Sequence, residues 1–148
     1  MKTSFIIFFV LLALFPCSAQ SSMDTDSIGI IKTVSGEVLV VGRQGRLSAT
    51  PNMKIHQGDA IKTAETSSVG LIFDDDTAVS LGPDSEFAIE SFLFNPVDQE
   101  LSFVSRLIHG TFCFITGQIA RLAPKRVKFE TPEATLGVRG TKFLVKVE

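Results

Sequence analysis

The sequence predicts an all-β fold, a compact single domain built as a β-sandwich or short β-roll of about ten short strands behind a signal peptide. Three observations predict it. From Ile28 onward the chain is a succession of short β-branched runs broken by Gly, Asp, Asn and Pro. Apolar residues alternate within those runs, most clearly at Val69, Leu71 and Phe73, which Ala78 to Leu81 answer across a turn at Asp74 to Thr77. Nine of the thirteen Phe lie beyond the leader and, with many Val, Ile and Leu, supply a core that needs no disulfide.

The leader comes first. Lys2, the apolar run from Phe5 to Phe15 and then Pro16, Cys17, Ser18 and Ala19 have the three-part layout of a secretory signal peptide. As a helix the apolar run rises about 16 Å, short of the roughly 30 Å of a membrane's hydrocarbon core. Cleavage is expected after Ala19. Lipid attachment at Cys17 is the alternative, for which Pro16 is a poor preceding residue, and only then would the chain be anchored to a membrane. Either route leaves Cys113 as the free thiol of a periplasmic or secreted protein. Residues 1–19 therefore read as signal peptide, 20–29 as a polar, flexible spacer and 30–148 as the β domain.

Ile30 to Val34 and Glu37 to Val41 flank Ser35-Gly36, a two-residue turn signal, and Gly42 to Gly45 makes a second turn. Arg46 to Ala49 continues the sheet until Pro51-Asn52 breaks it. Met53 to His56 leads to Gly58-Asp59, after which Ala60, Lys62 and Ala64 share one strand face and Ile61 and Thr63 the other. Phe87, Ile89, Phe92 and Phe94 form a further apolar segment ending at Asn95-Pro96. Residues 95–110 carry two patterns. Val97, Leu101, Val104 and Ile108 recur at helical spacing behind an Asn95-Pro96 cap, whereas Leu101, Phe103, Ser105 and Leu107 alternate as in a strand. The strand fits the neighbouring segments. Cys113 sits between Phe112 and Phe114 and so faces away from both, as a buried, inert thiol.

Charge is mild in total and uneven along the chain. The formal net charge of −2 gives no nucleic-acid footprint. Residues 20–100 hold thirteen acids against five bases, a net of −8, while residues 101–148 hold three against eight, a net of +5. Arg121, Lys125, Arg126 and Lys128 surround Leu122-Ala123-Pro124 as a basic loop or strand edge. Arg139 stands between Gly137 and Gly140, which would let the backbone approach closely or take positive φ. Its guanidinium is expected in an internal ion pair with Asp59, Asp84 or Glu86, or else as a rigid fork for an anion.

No catalytic set emerges. His56 and His109 are separated, no Gly-x-Ser-x-Gly elbow exists, and no metal or cofactor is expected. Asp74, Asp75 and Asp76 read as a turn rather than a calcium loop. A pocket with converging Asp and His side chains would reopen the question of hydrolysis.

Thr131, Pro132, Ala134, Gly137, Val138, Arg139, Gly140, Thr141, Phe143 and Val145 together resemble the signature of the FecR domain family. Gly58 to Thr63, Val69 to Phe73, Asp76-Thr77 and Leu107 to Thr111 extend the resemblance, which runs from about Ile30 onward. Asp76 departs from the family's Asp-Gly turn, at a position where Asp tolerates left-handed backbone. The resemblance implies a β-rich extracytoplasmic module of envelope signalling, with Thr131, Pro132, Gly137, Arg139, Gly140 and Thr141 as its structural signature. Familiar members join this module to a membrane helix and a cytoplasmic segment that restrains a sigma factor, and this sequence shows neither. It implies a non-enzymatic sensory or scaffold component with an envelope or membrane protein partner. The alternative is a structural adaptor for peptidoglycan or another anionic polymer, with Arg121, Lys125, Arg126 and Arg139 as the candidate interaction residues.

Overall fold

A computed structural model describes residues 26–148; the expected signal peptide and residues 20–25 of the spacer lie outside them. Twelve strands form one sheet that curls on itself, so that two layers face each other across the core. The first layer runs β4 (Lys54–His56), β1 (Ser27–Ser35), β6 (Ser68–Phe73), β7 (Ala78–Leu81), β9 (Glu100–Ile115) and β12 (Lys142–Val147). The second runs β3 (Gly45–Ser48), β2 (Val38–Gly42), β5 (Ala60–Thr63), β8 (Glu86–Asn95), β9 again, β10 (Val127–Glu130) and β11 (Thr135–Gly137). All pairs are antiparallel except β9 with β10. The all-β single domain expected from the sequence is what folds.

The sixteen-residue β9 belongs to both layers. Residues 100–109 pair with β8, and residues 110–115 pair with β12. The strand bends where it changes layer. Gly110 there has φ +106°, and a Cβ on it would fall on Ser85, whose hydroxyl accepts the Thr111 N–H at 3.1 Å. Only glycine meets both demands without strain. The helical pattern at 95–110 loses to the strand because Phe103, Ser105 and Leu107 are buried while Val97 is 90% exposed.

Phenylalanine fills the space between the layers. Phe73 and Phe114 of the first layer reach Phe103 and Phe129 of the second, with ring centroids 4.7 and 4.1 Å apart. Phe112 and Phe114 are buried and Cys113 between them faces outward, as alternation requires, but the thiol is partly exposed rather than buried.

Two local expectations are corrected. Ser35-Gly36 does not close a hairpin: β1 pairs with β4 and β6, β2 with β3 and β5, and the turn carries the chain from one layer to the other. A local turn signal cannot distinguish a hairpin from a corner between layers. The segment around Leu122 is not a plain loop or strand edge either. Residues 118–122 form helix α1 (Gln118–Leu122), and a 3₁₀ turn follows at Pro124–Arg126. Parallel strands cannot be joined by a tight turn, so pairing β10 with β9 demands such a crossover.

Candidate functional site

The crossover places its basic residues at one end of the domain. Arg121 lies in α1, Lys125 and Arg126 in the 3₁₀ turn that Pro124 opens, and Lys128 in β10, all four exposed. From β10 the chain turns through Thr131–Ala134, where the Thr131 hydroxyl accepts the Ala134 N–H at 3.0 Å and the Thr131 N–H donates to the Ala134 carbonyl at 2.8 Å. Pro132 stands exposed within this turn. β11 follows, and then residues 138–141 lead into β12.

Those last residues are held by the end of β9. The Thr116 N–H donates to the Thr141 carbonyl at 2.9 Å, and the Thr116 hydroxyl to the Gly140 carbonyl at 3.1 Å. Val138, Phe143, Val145 and Val147 pack against the core, which accounts for the apolar positions of the signature. Gly140 takes φ +106°, as expected. Gly137 has neither positive φ nor a close neighbour, so its expected role has no counterpart.

Between the crossover and the signature loop lies an open groove of about 640 Å³. Ala120, Pro124, Val127 and Val138 give it an apolar lining, Lys125, Lys128 and Arg139 supply charge, and no acid is among its described lining residues. Gly137 and Gly140 border it, whereas Arg121 and Arg126 do not line it. Arg139 is exposed and makes no ion pair among the described residues. Its expected internal partners are engaged elsewhere: Asp59 lies 3.6 Å from His56, Asp84 3.6 Å from His109 and Glu86 2.9 Å from Lys62. The arginine therefore does not pin the last strand to the acidic half.

A second cavity, of about 440 Å³, opens between the β2–β3 hairpin and β4. His56 and Asp59 line it together, the convergence that would matter for hydrolysis. No Ser, Thr or Cys is among its described lining residues, and Asp59 is bound locally, its Oδ2 accepting the His56 backbone N–H at 2.8 Å. The pair reads as a turn closure. Among the described residues no group of three His, Cys, Asp or Glu is arranged to hold a metal ion.

The three aspartates form a turn with a role that sequence reasoning missed. Asp76 takes the left-handed conformation at φ 66°. Asp75 is fully buried: Oδ1 accepts the Thr77 N–H at 3.1 Å, and Oδ2 accepts the Thr77 hydroxyl at 2.8 Å and the Ile119 N–H at 3.2 Å. The carboxylate thus satisfies a free backbone donor in the first turn of α1. Gly117 is required at this contact because a Cβ would collide with the Asp75 carbonyl. The spacing Asp75-x-Thr77 was the available signal, since Asp often accepts a hydrogen bond from the backbone two residues on. Asp74 is raised above the ordinary carboxylate range, first by partial withdrawal from solvent and second by the Asp75 charge.

Residues 59–148 match the family model FecR, described as "FecR protein". The chain belongs to the FecR family. No curated protein and no solved structure matches it. The match begins at Asp59, so β1 to β4 precede it, although β1 pairs directly with β6 and β2 with β5, while β3 adds to β2 and β4 to β1. FecR proteins form a regulatory and signalling family not known for enzymatic activity, are associated with the envelope and work there with other proteins. Membership suggests an envelope signalling component. No helix among the described residues of this FecR protein is long and apolar enough to cross a membrane.

Proposed function

We propose that this FecR protein is a non-enzymatic extracytoplasmic binding module, a sensory or scaffold component of an envelope signalling system that engages a protein partner. The observation that carries the reading is the groove. The parallel crossover and the signature loop, linked through β10, its turn and β11, fold back on each other so that Lys125, Lys128 and Arg139 line one apolar-floored depression with no acid among its described lining residues. An acidic segment of a partner protein suits it, because charge steers the encounter and apolar contact holds it. Amine-reactive crosslinking in intact cells tests this. The expected result is a protein adduct mapped to Lys125 or Lys128 that Arg139→Glu abolishes; an adduct indifferent to that reversal counts against the groove.

One observation favours a second reading. Arg121 and Arg126 are exposed beside the groove and extend its positive charge, as an adaptor for peptidoglycan or another anionic polymer would require. Cosedimentation with purified cell wall decides it. Binding that survives simultaneous replacement of Arg121, Lys125 and Arg126 by alanine rejects the adaptor.

A further inference from the structure

The outward faces of the two layers differ in kind. On the second layer the face is charged and internally paired: Lys62 with Glu86 at 2.9 Å, and Arg106 with Glu90 at 2.8 Å and Glu130 at 3.9 Å. On the first layer the strand registers line up a single row of directly opposed residues, Lys54, Ile30, Ile72, Ala78, Ile115 and Lys142. Directly opposed residues share a face. None of the six is buried, and Ile115 is 48% exposed. The adjacent row, Thr33, Gly70, Ser80, Cys113 and Leu144, is also free of carboxylates, and Leu144 is 70% exposed. Asp74 and Asp76 sit at the turn that ends β6, beyond the rows.

This is an aliphatic lane closed by a lysine at each end. With strands about 4.8 Å apart, the two lysines stand about 24 Å from one another across the sheet. Single exposed apolar residues are ordinary, but a contiguous strip with a polar rim has the layout of a protein interface. Among the described residues neither Lys54 nor Lys142 has an ion pair, whereas Lys146, nearer the terminus, is 3.0 Å from Glu148.

We infer that the outward face of the first layer is a second docking surface, separate from the groove, for a folded protein that presents aliphatic side chains flanked by carboxylates. Charge selects this occupant. A second copy packed through the same face by a two-fold axis along the row or along the strands sets lysine against lysine, a like-charge contact that disfavours it. A lipid surface is matched poorly, because the lane offers no aromatic side chain to seat at the headgroup boundary.

The test places a photo-crosslinking amino acid at position 144 of the full chain in the cells that make it. Position 93 on β8 serves as control, since Leu93 is 46% exposed on the other layer. The expected result is an adduct from position 144, absent from position 93, with a different protein whose crosslinked peptide carries aliphatic residues beside acids. Its yield falls about fivefold or more in the Lys54→Glu, Lys142→Glu double variant and is kept in the double Arg variant. Unchanged thermal unfolding of both variants shows that the fold is intact. The inference is overturned by an adduct indifferent to charge reversal, by one with a second copy, with the chain's own N-terminal residues or with lipid, and by no adduct from a chain that accumulates normally.

Discussion

The Ile119 N–H donates to Asp75 Oδ2 at 3.2 Å, joining the tip of the β6–β7 hairpin to the first turn of α1 forty-four positions later. The crossover that carries the basic residues is thereby fastened to the first layer at its start. Replacing Asp75 by alanine leaves the Ile119 N–H and both Thr77 donors without their acceptor. We expect a loss of about 3 kcal/mol, since each orphaned buried donor costs about 1–3 kcal/mol and some recover water. Urea unfolding followed by circular dichroism measures it, and a loss below about 1 kcal/mol contradicts the role assigned to this carboxylate.

Gly110→Ala should be among the most damaging single methyl additions in the chain. It imposes a disfavoured φ and a collision with Ser85, together about 2–4 kcal/mol. Adding Ser85→Gly should restore little of the loss, because it removes the Ser85 Oγ and Cβ but leaves its Cα 2.5 Å from the new methyl and takes the acceptor from the Thr111 N–H. Full restoration would show that the backbone conformation costs nothing there.

Ser105 is buried in the core with a hydroxyl that has no hydrogen-bond partner among the described residues. Ser105→Ala removes that unsatisfied group at little loss of volume. Stability should rise by about 1 kcal/mol, read as a higher denaturant midpoint with an unchanged slope.

Asp74 gives a pH dependence of known sign. Its folded pKa lies above the ordinary aspartate value, so the folded state takes up the proton more readily than the unfolded one. This group's contribution therefore favours folding as pH falls through the folded value and disfavours it as pH rises. Asp74→Asn should flatten that part of the stability profile and leave the protein at least as stable at neutral pH. A variant that becomes more sensitive to rising pH has the opposite sign and refutes the assignment.

Arg139→Ala should leave the unfolding free energy within about 0.5 kcal/mol of the parent's, because the side chain is exposed and has no ion pair among the described residues. Partner crosslinking through the groove should nevertheless fall. A variant that fails to fold would restore the internal ion pair expected from the sequence.

What could be read from the sequence was whatever depends on period two. The β6–β7 hairpin and the inward Phe112 and Phe114 follow from alternation over a few residues, as does the Leu101, Phe103, Ser105 and Leu107 strand pattern of β9, where Phe103, Ser105 and Leu107 are buried. Long-range facts were hidden. Nothing near Ser35-Gly36 says that the chain changes layer, and α1 exists because β10 lies parallel to β9, a pairing across some twenty residues. The candidate site was half legible. Lys125 and Arg139 stood out, but only the fold shows that they line one groove with Lys128 while Arg121 and Arg126 stay beside it. Arg139 misled because glycine neighbours suggest a confined side chain, whereas Gly140 serves the backbone turn that Thr116 anchors.

Because β9 threads through both layers, neither can peel away while the other stays intact. Melting should register as one transition by every probe, and cutting the strand near its bend should release the halves simultaneously. A ligand seated at either end of the domain would then raise the resistance of the whole body to proteolysis, far from the contact itself.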